Sequence, residues 1–340
     1  MAGIVEGRNL SKEFNGNVVL KDVSISCEAG KAIALVGENG AGKSTLMNLI
    51  SGSLTPTSGS VLVDGKEVRF TSPEQAKRMG IAFVHQELSR MEEMTVGENI
   101  MLGREPRKNG FISQKQLHEE AARVLAEIGY SIDVYAIVSD LTPAEKQMTE
   151  IAKAWAGTPR VMIFDEPTSS LNSTESKTLF SFIERLKAQN IAVILISHRM
   201  DDIFETCDIA FVLKDGEFVF SKAVAETNED ELISRMVGRE FKNAYPPRRE
   251  SRSDHICVRL VDACVGDRVR NVNLEVPEGS VIGIGGLEGQ GQRELGRALV
   301  GIDPFTSGTY EVNGKAVKIR SPRDAVKNGI AFVPDDRKAE

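Results

Sequence analysis

Four short stretches carry apolar residues at nearly every position: KAIALVG (31–37), GIAFVHQ (80–86), RVMIFDE (160–166) and IAVILIS (191–197). A strand with one wet face alternates apolar and polar residues, whereas a strand covered on both faces has no need to. These runs predict neighbouring strands of a parallel sheet, each ending at a glycine or a polar residue. Between the second and third runs the period changes. In QKQLHEEAARVLAEIGY (114–130), Leu117, Ala121, Val124, Leu125 and Ile128 recur at helical spacing, predicting a helix that packs a core of its own. The pattern predicts an α/β fold with a helical insertion at about 88–157.

The chain also repeats itself. SPEQAKRMGIAFVHQE starts at Ser72 and SPRDAVKNGIAFVPDD at Ser321, an offset of 321 − 72 = 249 residues. The same offset carries Gly42 onto Gly291, Thr57-Ser58-Gly59 onto Thr306-Ser307-Gly308, and Gly65-Lys66 onto Gly314-Lys315. Matches in register over this distance predict a duplicated domain. The first copy covers 1–240, a linker rich in proline, serine and charge covers 241–254, and a truncated second copy covers 255–340. Composition changes the picture only by exclusion. A net charge of −7 argues against a nucleic-acid partner, which needs a cationic face for phosphate contacts. The four cysteines lack paired spacing and read as reduced thiols. No apolar run is long enough to span a bilayer, and the N-terminus lacks a secretion-signal layout, so a cytoplasmic location is expected.

Chemistry gathers where the apolar runs end. GENGAGKST, from Gly37 through Glu38, Asn39, Gly40, Ala41, Gly42, Lys43 and Ser44 to Thr45, follows one such run and precedes the helical pattern LMNLISG. That context marks a P-loop: glycines curl backbone N–H groups into an anion nest, and the helix start adds its dipole. Lys43 brings a cation to the β- and γ-phosphates of ATP, and the Ser44 hydroxyl can ligate Mg²⁺. Asp165 closes a buried run, where a hydrated Mg²⁺ relieves the cost of an unpaired carboxylate. Glu166 is placed to polarise a water aimed at the γ-phosphate. His198, ending another run, reads as a γ-phosphate contact rather than a structural histidine. Gln86 can reach the metal or the attacking water. Phe14, read as part of a polar turn before the first strands, either stacks on adenine or simply packs.

The order of these motifs, with GENGAGKSTLM, VHQEL, EIAKAW, DEPTSSL, ISHRMDDIFETCD, MVGRE and PDDRK, resembles the ATP-binding cassette (ABC) ATPases. It is most similar to the tandem, fused ATPase subunits of bacterial sugar importers of the ribose, galactose, xylose and arabinose group. The resemblance covers nearly the whole chain. It implies a P-loop NTPase fold with a parallel sheet core, an antiparallel β subdomain and the helical insertion. It also implies membrane permease partners fed by a periplasmic solute-binding protein, a peripheral place on the cytoplasmic face of the inner membrane, and permease docking near residues 87–94. In that family each ATP lies between one domain's P-loop and the signature motif of a second ABC domain or a second copy.

Here the signature position reads Leu141-Thr142-Pro143-Ala144-Glu145. Pro143 lacks an N–H, which the first helical turn tolerates well, Ala144 puts a methyl group where glycine permits close approach, and Glu145 faces a negative ligand with a negative charge. Its partner loop in the second copy is altered too. The offset sets Gln292 on Lys43, Arg293 on Ser44 and Asp335 on Gln86, and no aromatic residue lies between Cys257 and Arg270. Asn172 stands where most ABC domains carry Asp and is expected to face the same site. One composite site is therefore expected to be consensus and the other degenerate. The second copy's signature falls beyond Glu340, so weak or no ATP turnover is expected of the isolated chain. The alternatives are a soluble tandem ABC protein of the translation-factor kind and an importer of nucleosides or signalling molecules.

Overall fold

The computed structural model describes residues 3–85, 91–237, 253–287 and 289–334. The 241–252 part of the expected linker and the 87–90 part of the expected permease-docking stretch, together with Gln86 and Asp335, lie outside the described residues. The chain divides into two compact units, Met1–Lys242 and Asn243–Glu340.

The first unit opens with β1 (Val5–Phe14), β2 (Asn17–Cys27), β3 (Ala32–Val36), α1 (Lys43–Ile50), β4 (Ser58–Val63), β5 (Lys66–Val68), α2 (Pro73–Arg78) and β6 (Ile81–Val84). The helical insertion follows as α3 (Val96–Met101), the short hairpin β7 (Arg107–Lys108) and β8 (Phe111–Ile112), α4 (Gln114–Ile128) and α5 (Pro143–Trp155). The unit closes with β9 (Val161–Asp165), α6 (Ser173–Ala188), β10 (Ala192–Ile196), α7 (Met200–Thr206), β11 (Ile209–Lys214), β12 (Glu217–Ala223) and α8 (Glu229–Val237).

The four apolar runs become β3, β6, β9 and β10. With β11 they form a parallel array in the order β11-β3-β10-β9-β6, edged by antiparallel β12. Their alternate residues feed two separate cores. Ala34, Phe164 and Leu195 join the cluster under α4, α5 and α6; Leu35, Ile163 and Ile194 join the cluster under α1 and the antiparallel sheet β2-β1-β4-β5. Each face of the sheet is thus covered, which is why the runs show no alternation. In the insertion, α4 buries Leu117, Ala121, Val124, Leu125 and Ile128 and stops at Gly129 in the left-handed conformation.

Phe14 does not precede the first strands. It ends β1 and pairs with Asn17 across a two-residue turn, Asn15-Gly16, both left-handed. Asn-Gly is the pair such hairpin turns demand.

The second unit contains β13 (Ile256–Val265), β14 (Val269–Pro277), α9 (Gln292–Leu299), β15 (Ser307–Val312), β16 (Lys315–Ala316) and α10 (Pro322–Lys327). Its sheet runs β14-β13-β15-β16, the order that β2-β1-β4-β5 has in the first unit. The register matches as well. Val5 pairs with Cys27 and Val63, and Val258 pairs with Val276 and Val312. The partners lie 249 residues apart (276 − 27 and 312 − 63) but the central strands 253 (258 − 5), so the hairpin between them is four residues shorter in the second unit. The loss falls at the tip: the pair Lys12–Leu20 encloses residues 13–19, while its counterpart Val265–Val269 encloses only 266–268. Val281 and Val333, which the offset sets on Ala32 and Val84, are 98% and 87% exposed.

Candidate nucleotide-binding site

Lys31 and the buried residues of β3 lead directly into the loop 37–42, which hands the chain to α1. Gly37 is required by space, because a Cβ there would stand 2.3 Å from the Leu213 carbonyl oxygen of β11. Gly42, at φ 96°, caps α1 in the left-handed conformation, and a Cβ there would crowd Leu20 and the Val19 carbonyl of the hairpin. No side chain caps α1, and its first turn carries no acidic residue. A helix start leaves several N–H groups without intrahelical acceptors, so this end presents a positive, concave surface suited to an anion. Glu38, Asn39, Gly40 and Ser44 are exposed around it, Ala41 is buried beneath, and Thr45 is half-buried.

Lys43 is folded along the loop. Its ammonium donates to the carbonyl oxygens of Gly37 at 2.7 Å and Glu38 at 2.9 Å. Burial pulls its pKa below the usual lysine value, opposed by the charges of Glu166 and Asp165. Asp165 ends β9 at 9% exposure. Burial, then the neighbouring Glu166, push its pKa up to about 6 against the pull of Lys43. A buried carboxylate in that position fits a dication shared with phosphates: Mg²⁺ uses one or two carboxylates, a hydroxyl and the substrate itself. Asp165 and exposed Ser44 are the side chains that would hold it.

Glu166 has a left-handed backbone, φ 48°, unusual for a non-glycine residue and typical of functional sites. Its N–H donates to the Ile196 carbonyl at 2.9 Å, tying the end of β9 to the end of β10. The next segment returns the contact, because His198 Nδ1 stands 3.2 Å from Glu166 Oε1 while its ring is 66% exposed. The structure therefore brings together Lys43, Asp165, Glu166 and His198. Phe14, 40% exposed with the Lys12 ammonium 5.0 Å from its ring centre, lies at the tip of the hairpin whose Val19 and Leu20 flank Gly42.

Known proteins with this arrangement converge on one family. The ABC transporter family matches residues 20–169. The chain is 40% identical over 339 residues to a putative ribose/galactose/methyl galactoside import ATP-binding protein of Agrobacterium fabrum, covering 100% of this chain and 68% of that protein. It is 42% identical over 340 residues to a ribose import ATP-binding protein of Rubrobacter xylanophilus, again covering 100% and 68%. The chain belongs to the ABC transporter ATP-binding family. The fold agrees: an ABC transporter cassette in its ADP conformation aligns at TM-score 0.61 and 25% identity, over 70% of this chain and all of that one. A nucleotide-free cassette aligns at TM-score 0.60 and 25% identity, over 69% and 95%. This cassette is thus an ATP-binding ATP hydrolase.

The signature position keeps the expected proline-tolerant helix start but differs from expectation at Glu145 and Ala144. Thr142 caps α5 and Pro143 occupies the first helical position, where a missing N–H costs nothing. Glu145 does not face outward. Its Oε2 accepts from the Thr142 N–H and hydroxyl, both at 2.8 Å, while the Thr142 hydroxyl accepts from the Glu145 N–H at 3.3 Å. This capping box fills the helix start with the chain's own carboxylate. Ala144 is buried in the insertion core, so its methyl group serves packing rather than crowding a ligand. Asn172 is likewise a cap, accepting at 3.0 Å from the N–H groups of Thr174 and Glu175.

The loop before α9 repeats the geometry of the first without its charge. Gly291 is left-handed, φ 104°, and no side chain caps α9. The Gln292 amide donates to the Leu287 carbonyl at 3.2 Å, the counterpart of the Lys43 bond to Glu38. Glu294 adds a carboxylate to the first turn, held by Arg268 at 2.7 Å. That carboxylate reduces the positive character of the helix end.

Sequence reading missed a cluster behind the Glu166 and His198 segments. Asp202 of α7, without solvent exposure, accepts from the Thr168 hydroxyl at 2.5 Å and the Ser197 hydroxyl at 2.8 Å. A serine directly before His198, an aspartate four residues after it and a threonine two residues after Glu166 were the available signal.

Proposed function

We propose that this cassette energises import of a simple sugar, or a related small polar solute, through membrane permease subunits fed by a periplasmic binding protein. The observation that carries the reading is the uncapped, acid-free start of α1, with Lys43 beside Asp165 and Glu166. It occurs in a chain about 40% identical over its full length to ribose and galactose import ATP-binding proteins.

In this reading residues 37–45 cradle the phosphates of ATP and Phe14 stacks on adenine. Ser44 and Asp165 would hold Mg²⁺, which when bound offsets phosphate charge. Glu166 polarises the attacking water and His198 steadies the γ-phosphate oxygens through its exposed ring. Gln86, by sequence, joins the water or the metal. The α1 face is open to solvent, and the signature of a second cassette is the partner that closes it. Residues 255–340 are assigned as the N-terminal part of a second, degenerate cassette domain following the linker at 241–254. The shared strand order and register support the assignment.

Permease contact is assigned to a groove of about 470 Å³ between the α2–β6 edge of the sheet and the helical insertion. Phe83, Leu102 and Ala154 give it apolar walls, and its cations Lys77, Arg78, Arg104 and Lys153 outnumber its carboxylates Glu74 and Glu150, the latter paired with Lys153, which suits an amphipathic helix with acidic residues. Among the described residues no helix is long and apolar enough to cross a membrane; the peripheral place at the cytoplasmic face is assigned from the importer reading.

The test is reconstitution with permeases and binding protein in proteoliposomes. Loaded binding protein should raise both solute uptake and phosphate release. Lys43→Ala should abolish ATP binding; Glu166→Gln should keep binding and lower turnover about 100-fold or more. Hydrolysis that ignores permeases and responds to ribosomes would replace this reading with the soluble one.

A further inference from the structure

Asp202 is buried without solvent exposure, and its two partners flank the two side chains assigned to the γ-phosphate. Thr168 lies two residues beyond Glu166, and Ser197 directly precedes His198. Both hydroxyls donate to the same oxygen, Asp202 Oδ2. The Ser197 hydroxyl also accepts from the Arg199 N–H at 3.0 Å, so the backbone is pinned on both sides of His198. The other carboxylate oxygen, Oδ1, makes no hydrogen bond and stands 3.7 Å from the Arg199 guanidinium. The first turn of α7 thus brings its carboxylate inward, and the Thr206 hydroxyl, donating to the Asp202 carbonyl, anchors the helix behind it.

A carboxylate without solvent contact is costly unless hydrogen bonds and an opposite charge compensate it. A hydrophobic residue would pack the same space at less cost, so the carboxylate's value lies in direction. It holds two loops from different strands at one point. Those loops carry Glu166, with its left-handed backbone, and His198, whose Nδ1 stands 3.2 Å from Glu166 Oε1.

We propose that Asp202 is a positioning residue for hydrolysis. It ties the Glu166 segment to the His198 segment through Thr168 and Ser197, and so sets the approach of the two side chains. The proposal rests on the reading that this pair acts at the γ-phosphate. Misplacing a general base by a fraction of an ångström lowers the chemical step while leaving phosphate binding at Lys43 alone.

The experiment uses the full chain in the assembled transporter. Asp202→Asn should lower kcat about tenfold or more with the KM for ATP within about twofold. The decisive readout is a double-mutant cycle on single-turnover rates. In a His198→Ala background, Asp202→Asn should slow the residual rate less than about twofold, because the approach it sets, that of His198 to Glu166, is already lost with the imidazole. Equal losses in both backgrounds would mean general structural support and overturn the proposal. Should Asp202→Asn fold poorly, Thr168→Val removes one tie alone; it should lower kcat several-fold with unchanged KM, and Thr168→Ser should restore it. Unchanged kcat in Thr168→Val and Asp202→Asn, with Glu166→Gln inactive, overturns the positioning role and spares the catalytic reading. Full activity in Glu166→Gln overturns the catalytic reading itself.

Discussion

At Asp165 the fold holds a carboxyl group whose pKa of about 6 lies above the ordinary 3.8. The sign of the linkage follows. The folded state holds this proton more tightly than the unfolded chain, so stability is greatest below about pH 4 for this group and falls as pH rises towards 6. Above that window the cost is constant. Asp165→Asn should therefore raise the Tm of the nucleotide-free protein at pH 7.5 by several degrees, on the order of 2–4 °C per kcal/mol relieved, and the gap should close near pH 4. Melting curves across that range check it; a gap independent of pH would contradict the buried-charge account. The position and nature of Asp165 were legible because a continuous apolar run ended in an acid. The strain at Glu166 was not, because a left-handed backbone leaves no mark on residue type when the residue is not glycine. Asp202 stayed hidden for a related reason: the cluster of Thr168, Ser197 and Asp202 is drawn from three separate elements of the chain.

At the level of elements, strands were legible and side-chain direction was not. The four apolar runs became strands because both sheet faces are covered, a condition their composition already stated. Two local signals were overlooked. Asn15-Gly16 marks a hairpin turn and places Phe14 at a strand end. Thr142 followed three residues later by Glu145 is the spacing of a capping box, and it turns the carboxylate back onto its own helix. The difference has a measurable side. If Glu145 stabilises α5, Glu145→Ala should cost about 1 kcal/mol and lower Tm by about 2–4 °C. ATP affinity at the Lys43 loop should be unchanged. A variant that melts at the wild-type temperature and binds nucleotide more tightly would restore the outward-facing view.

For the whole molecule, the contrast between the two units is one of charge as much as of shape. The first has an ammonium on its loop carbonyls and no acid in the following helical turn; the second has an amide and a carboxylate there. Binding to one folded unit raises that unit's stability alone. Calorimetry with saturating Mg²⁺-ATP should therefore shift the melting transition of the first unit upward, by about 2.7 kcal/mol of stabilisation at 100 times Kd, and leave that of the second in place. Movement of both transitions would show a second occupied site. The repeat at an offset of 249 made the duplication readable, yet the four-residue contraction of its hairpin fell where the copies share too few residues to align.

The filled helix start at Thr142 has a consequence for stoichiometry. In the proposed reading, a clamp whose jaw is partly closed on its own acid should grip a triphosphate tail poorly, whichever loop is placed opposite. Any dimer built with this helix would then draw power from the remaining interface only, firing like an engine with a single working cylinder.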